Sequence, residues 1–454
     1  MLRFKPVFQE VDEEKAQSIA RRCTLSLEVA RIMAGRGMDE ETAQAFLQCG
    51  RESLHDPFSL SGMDAAADRI RAAIAQKQKI VVYGDYDVDG VTATVIVVSA
   101  LKDMGAYVDY YLPSRQGEGY GLNCMALDAL RAEGAELIIT VDCGITALQE
   151  AQHARSIGLD LIITDHHQPL TQLPDCSAVV SPLLDGYPSP HICGAGVAAK
   201  LVQALLGLEG LEDYFDLVAL GTVADVVPLT GENRAFVRLG LEKMNRAPRL
   251  ALRLLLEEAG FSGQEISAQT LAYVVAPRIN AAGRLGDAGL AVDMLIARQK
   301  PPYIRELEQM NRKRQDVELE ILEQAEEMLQ TYDWKNNRAI VLCSEHWHQG
   351  VVGIVASRLL ERYYRPVVML CLNGEVCTGS LRSIPDVNIF KILKSMDHLF
   401  QRFGGHSAAA GLTMDYSQLA EFCSGLNAQL QEMAPEAFIP CITYDTTLRI
   451  QDIN

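Results

Sequence analysis

No apolar stretch of this 454-residue chain approaches the length of a membrane span, and Met1–Lys15 is too charged to serve as a signal peptide. Positive charge is scarce. The 41 Lys and Arg against 59 Asp and Glu leave a net charge of −18, which excludes indiscriminate coating of nucleic acid by charge alone. A local basic groove stays open as a possibility, because metal ions can neutralise carboxylates within a site. There is no CxxC pair, and the eleven cysteines are an odd number, so scattered free thiols in a reducing cytosol are the economical reading. Internal repeats and low-complexity tracts are missing too. What remains, 48% hydrophobic and 22% charged, predicts a globular protein of two to four domains with real cores, and the strand–helix alternation along the chain makes it α/β.

Four short segments carry the chemistry. Gly84-Asp85-Tyr86-Asp87-Val88-Asp89-Gly90, Val141-Asp142-Cys143-Gly144, Thr164-Asp165-His166-His167 and Ala224-Asp225-Val226 each follow an apolar run. Runs such as Ile80–Tyr83, Leu137–Val141 and Leu161–Thr164 are β-branched and lack polar alternation, as buried parallel strands do. Side chains just past the carboxyl ends of such strands converge on one crevice. Oxygen donors with one or two imidazoles suit manganese or magnesium better than copper or a structural zinc. The carboxylates suffice for two ions that activate water for attack on phosphorus.

Each segment has a plainer reading. Asp85 to Gly90 could be an Asx-rich turn; it is not an EF-hand loop, for no Glu stands at the twelfth position. Asp142 before Gly144 could end a strand. Adjacent histidines beside Asp165 are more specific, since one ring can ligate while the other faces a substrate. Asp225 follows small apolar residues, Ala219 to Ala224, that would bury it, and a buried carboxylate needs a partner.

Along the chain, residues 1–65 read as an N-terminal helical segment. From Ile80 to about Pro228 the pattern alternates: strand 80–83, helix 91–104, strand 107–112, helix 123–133, strand 137–141, helix 146–157 and strand 161–164, which implies βαβ units. Residues 191–260 look mainly helical. Tyr303 to Thr331 reads as one long helix able to bridge two domains, its charged run 311–318 a solvated face. A smaller α/β domain with strands at 339–342, 367–372 and 410–413 follows.

In consistent order over about residues 20–454, the four segments, together with Pro277–Leu285, Gly379-Ser380-Leu381-Arg382-Ser383 and Gly404-Gly405-His406, resemble the DHH phosphoesterases. The closest likeness is to the branch of single-strand-specific 5′→3′ exodeoxyribonucleases that act in DNA repair and recombination. The resemblance implies a parallel-sheet DHH catalytic domain (66–235), a helical region with the connecting helix (236–331), and a smaller α/β DHHA1 substrate domain (332–432). Residues 433–454 would begin an OB-type module, most of which is not in this chain, so long strands are expected to be held loosely. It also implies two divalent ions, manganese or magnesium, with Asp87, Asp89, Asp142, His166 and Asp225 as ligands and Asp142 bridging. Asp85 and Asp165 would orient ligands or hold the turn, and His167 would contact the scissile phosphate.

Phosphate contacts are expected from Arg115 and from Arg284 in a small-residue loop, and Arg278 is expected in a surface salt bridge. Ser380, Arg382 and His406, in Gly-flanked loops, would hold the nucleotide. Tyr86, Tyr120 and Phe403 could stack on bases, though core packing is the plainer role. The implied partners are single-stranded DNA, a helicase and a single-strand-binding protein, in the cytoplasm and away from membranes. Hydrolysis of short oligonucleotides or cyclic dinucleotides is the neighbouring activity, and a metal-free scaffold for DNA-replication proteins the reading from another class.

Overall fold

The computed structural model describes residues 4–114, 121–334 and 336–448. Ala45–Asn311 forms one compact unit, and Met1–Gln44 with Arg312–Asn454 forms the other. Among the described residues the strands, in chain order, are β1 (Lys5–Phe8), β2 (Ile80–Tyr83), β3 (Val108–Tyr111), β4 (Leu137–Val141), β5 (Asp160–Thr164) and β6 (Ala178–Val180). They continue as β7 (Ile340–Ser344), β8 (Val367–Asn373), β9 (Val376–Arg382), β10 (Arg402–Gly405), β11 (Ala409–Asp415) and β12 (Cys441–Tyr444).

In the Ala45–Asn311 unit the five strands run parallel in the order β3-β2-β4-β5-β6. Their continuous apolar runs follow from burial on both faces. Ile80, Val82, Leu137, Ile139, Val141 and Ile162 point to one core, built with the helices Val88–Asp103, Gly194–Leu211 and Phe215–Ala224. Val81, Tyr83, Ile138, Leu161 and Ile163 point to the other, under the helices Cys124–Ala132 and Leu148–Ser156. The chain leaves β2 towards β3 on one side and later returns to place β4 on the other side. The sheet's switch point therefore lies between β2 and β4, and the crevice beyond their carboxyl ends is where an open α/β sheet binds ligands.

Against the expectation from the sequence, the 31-residue stretch Gly194–Ala224 is long and apolar enough to cross a membrane, but most of it is buried in the core and it breaks at Gly207, whose backbone leaves the helical region. Within it Lys200, fully buried, pairs with the equally buried Glu232 at 2.9 Å. The helix Ile304–Gln330 runs from this unit into the next.

In the other unit the sheet order is β10-β11-β9-β8-β7, with only β7 and β8 parallel. Its core gathers Val368, Leu370, Leu381, Leu412, Phe422 and Leu426. β1 pairs in parallel with β12, bringing Lys5 opposite Cys441. All eleven cysteines are free thiols.

Three expectations need correcting here. The run 311–318 is not simply a solvated face: Asn311 and Glu318 are each 1% exposed, and Glu318 is gripped by Arg314 at 2.5 Å and by Arg358. A buried carboxylate demands such partners, and charge counting along a helix does not reveal them. Arg278 pairs with Glu308 at 2.6 Å, as expected of it, yet both side chains are largely buried rather than on the surface. Ser380 and Arg382 stand on β9 rather than in loops. Their neighbour Gly379 serves strand packing, since a Cβ there would overlap the Met369 carbonyl oxygen.

Candidate metal centre

Specific contacts hold the acidic segments at the crevice, some local and some from distant parts of the chain. Asp87 caps the helix Val88–Asp103, its carboxylate accepting the Gly90 N–H at 3.0 Å. Asp89 lies in the first turn of that helix and accepts the Gly194 and Ala195 N–H groups, at 2.6 and 2.8 Å, from the start of the helix Gly194–Leu211. The positive end of a helix favours a carboxylate there. Asp142 follows β4 with φ 61°, a left-handed conformation that Asp tolerates better than most residues. A Cβ on Gly194 would lie 2.5 Å from that of Asp142, so only glycine fits beside it.

The donors meet in three overlapping groups: Asp85, Asp87 and Asp142; Asp142, His166 and His167; and Asp89, His166 and Asp225. In each, the ligating atoms lie within 4.8 Å of one another. His166 Nε2 stands 3.1 Å from Asp142 Oδ1 and 3.8 Å from both Asp89 Oδ2 and Asp225 Oδ2. Asp142 and His166 each belong to two of the groups. A donor set of carboxylate oxygens with imidazole nitrogen fits a hard or borderline dication.

The electrostatics point the same way. Burial, and then the charges of Asp89, Asp87, Asp85 and Asp165, push the Asp142 carboxyl well above the usual range. Burial and Asp89 also raise Asp87, while burial with Asp89 and Asp87 takes Asp225 to about 8. Carboxylates that repel one another in this way are relieved by a cation. Burial lowers His166, keeping its ring neutral with a lone pair to offer. Burial would lower His167 too, but the hydrogen bond from its Nδ1 to Asp165, 2.7 Å, and the Asp165 charge outweigh it and bring it to about 9. Asp165 is itself held low: burial opposes ionisation, but His167 and the N–H groups of Ile145, His166 and His167 prevail.

Asn280 and Gly283 support the first loop. Asn280 Oδ1 accepts the Val88 N–H at 3.3 Å, and a Cβ on Gly283 would overlap the Tyr86 carbonyl oxygen. Arg284 stands in the last turn of the helix Ala276–Leu285 and not in a loop, and Gly283 before it is a glycine where that helix packs closely on Tyr86. Arg115 and Tyr120 lie outside the described residues.

In the other unit Gly353, on the helix Gln349–Tyr363, leaves room for Ser380 and Arg382: a Cβ there would come within 3.2 Å of each side chain. His406 is exposed just past β10, its N–H bonded to the Ala409 carbonyl at 2.7 Å. Phe403 packs against Phe400 and Phe390, with ring centroids 5.5 and 6.0 Å apart, which is the core role. Tyr86 is half-buried against the core of the parallel sheet. Sequence reasoning missed the amides of Gly194 and Ala195 and the room at Gly353. The one local signal for the first two was the run of small residues Gly194-Ala195-Gly196.

Residues 79–222 match the DHH family, N-terminal domain, and residues 336–432 match the DHHA1 domain. The single-stranded-DNA-specific exonuclease RecJ of Escherichia coli is 36% identical over 423 residues, 86% of this chain and 72% of that protein. The chain belongs to the RecJ family. The RecJ of Bacillus subtilis is 40% identical over 455 residues, covering 98% of this chain, and the chain spans 58% of that relative's length. The crystal structure of RecJ from Thermus thermophilus in complex with Mn²⁺ superimposes with a TM-score of 0.83 at 32% identity, over 97% of this chain and 64% of that one. The α/β architecture, with a DHH domain joined by a long helix to a DHHA1 domain, is thus that of RecJ.

Proposed function

We propose that the chain is a single-strand-specific DNA exonuclease that hydrolyses phosphodiester bonds from the 5′ end and uses two divalent ions, manganese or magnesium. The observation that carries this reading is the convergence of Asp85, Asp87, Asp89, Asp142, His166 and Asp225 beyond β2, β4 and β5, at the sheet's switch point. The names of its relatives, single-stranded-DNA-specific exonucleases, support the same substrate.

In this proposal Asp87, Asp89, Asp142, His166 and Asp225 would hold the ions, with Asp142 belonging to two of the donor groups, while Asp85 completes the acidic wall. Ions bound there would supply a water acidic enough to ionise near neutrality and charge to offset that on the phosphate. Neutral His166 offers Nε2 as a donor. Asp165 fixes His167 through Nδ1, so that a protonated ring presents its other N–H to a phosphoryl oxygen or the leaving oxygen. Arg284 in the first unit, and separately Ser380, Arg382 and His406 in the second, are proposed to contact phosphates of the strand. The activity is placed in the cytosol. A helicase and a single-strand-binding protein belong to the same proposal, and faster digestion of a duplex on adding a helicase would support them.

Parallel digestion of 5′-labelled and 3′-labelled oligonucleotides with Mn²⁺ tests the whole reading. Mononucleotide released first from the 5′ label is expected; release from the 3′ label, or turnover of cyclic dinucleotides alone, would overturn it. His167→Ala is expected to keep the stabilisation that Mn²⁺ gives in a melting experiment yet lose about 10²–10³ in kcat. Loss of that stabilisation in His167→Ala with its retention in His166→Ala would mean the two rings exchange roles. Arg382→Ala should raise KM by about tenfold with kcat nearly kept, the mark of lost uniform binding. A large fall in kcat at saturating DNA would instead assign Arg382 to the chemical step.

A further inference from the structure

Val226 follows Asp225 directly, and its backbone has φ 61°. For a β-branched residue this left-handed conformation is a genuine outlier, because the branched Cβ crowds its own carbonyl. Glycine or asparagine would adopt it with less strain. The Val226 side chain is also 84% exposed, so core packing does not account for it. The surroundings hold the backbone in place. The Asp225 N–H closes the helix Phe215–Ala224 onto the Gly221 carbonyl at 2.9 Å. Buried Asn233 donates from Nδ2 to the carbonyls of Pro228, at 3.0 Å, and His191, at 2.7 Å, which pins the chain just beyond.

Strain of this kind persists where something else requires it. The groups beside Val226 are charged or imidazole: Asp225 Oδ2 lies 3.8 Å from His166 Nε2, with Asp89 and Asp142 around the same ring nitrogen. These groups can hold ions and phosphate but offer nothing to the apolar faces of a sugar or base. The exposed, stiff isopropyl group of the residue that follows Asp225 does. A nucleotide with its phosphate over the acids carries its sugar and base within reach of the residue next to Asp225. We propose that Val226 is a substrate-contacting residue that packs against the sugar–base part of the nucleotide whose phosphate occupies the acidic site. This rests on the nuclease reading above.

The test uses the full chain with Val226→Gly, Val226→Asn and Val226→Ile. Melting temperature is measured with and without Mn²⁺, and steady-state hydrolysis on a short single-stranded oligonucleotide. Val226→Gly and Val226→Asn should melt no lower than the parent and keep its Mn²⁺-induced shift, while KM rises about fivefold as the apolar contact is lost. Val226→Ile, which keeps a branched apolar side chain at the same backbone conformation, should leave KM within about twofold of the parent. Unchanged KM in the Gly and Asn variants overturns the proposal. So does loss of the Mn²⁺-induced shift, which would mean that Val226 acts by aiming Asp225. A parent chain that does not cleave the strand overturns the nuclease reading itself, an outcome separate from both.

Discussion

With Asn in place of Asp142, hydrolysis of single-stranded DNA is expected to fall by on the order of 10³ or more, while the ion-free protein becomes more stable rather than less. Asp142 is 3% exposed and sits where two of the donor groups overlap. The glycine at 194 lets the helix start approach it closely, since a Cβ there would lie 2.5 Å from that of Asp142. Asn suits the experiment better than Ala, since it accepts φ 61° and preserves the shape of the side chain. Its effect on stability follows from the sign of the shift: burial and four neighbouring acids raise the Asp142 carboxyl, so its ionised form opposes folding near neutral pH. Removing the charge relieves that repulsion. A melting experiment should show a higher midpoint without ions and little or no further rise on adding Mn²⁺, whereas the parent should rise. An Asn variant that keeps both its Mn²⁺-induced shift and its turnover would remove Asp142 from the site.

Lys200→Met should destabilise the fold by about 3–5 kcal/mol without touching the acidic crevice. Lys200 Nζ donates to Glu232 Oε1 at 2.9 Å and to the His55 carbonyl at 2.5 Å. Glu232 also accepts the His55 N–H at 2.9 Å and the Tyr187 hydroxyl at 2.5 Å. Burial lowers the Lys200 pKa, opposed by the Glu232 charge. The cluster ties the segment near His55 to the two helices that carry Lys200 and Glu232, and all its charge is compensated internally. Met fills much the same volume but leaves the Glu232 carboxylate buried and unneutralised. Adding Glu232→Gln should recover most of the loss, since Gln still accepts from Tyr187 and His55 and carries no charge. Denaturant midpoints of the parent, the single and the double variant decide it. A loss under about 1 kcal/mol in the single variant would mean that water reaches Glu232.

The parallel strands and the acids at their ends were legible in the sequence because both are local consequences of burial. A strand covered on two faces has to be a continuous apolar run, so Ile80–Tyr83 and Leu137–Val141 announce themselves, and the first polar residue beyond each run falls at the crevice. The resemblance then ordered those residues into one site. Less regular pieces were harder to read. β6 has three residues, β9 and β10 contain glycine, β10 being largely exposed, and β1 pairs with a strand more than four hundred residues away. Short strands of that kind take their conformation from their neighbours more than from their own composition.

By itself, then, the sequence determined the fold class and the two-part organisation and singled out the acids and histidines proposed for the site, since each of these is carried by the local pattern and the order of motifs. Only the tertiary structure decided which groups those residues meet. It placed the amides of Gly194 and Ala195 on Asp89, 105 and 106 residues along the chain. It set Asp142 and Val226 in left-handed conformations, buried the supposedly solvated Glu318 between two arginines, and turned the expected loop before Arg284 into a helix. The physical reason is common to all of these. A buried charge or a strained backbone is tolerated only where distant parts of the chain supply compensating donors, charges and packing, and those partners exist only once the chain has folded.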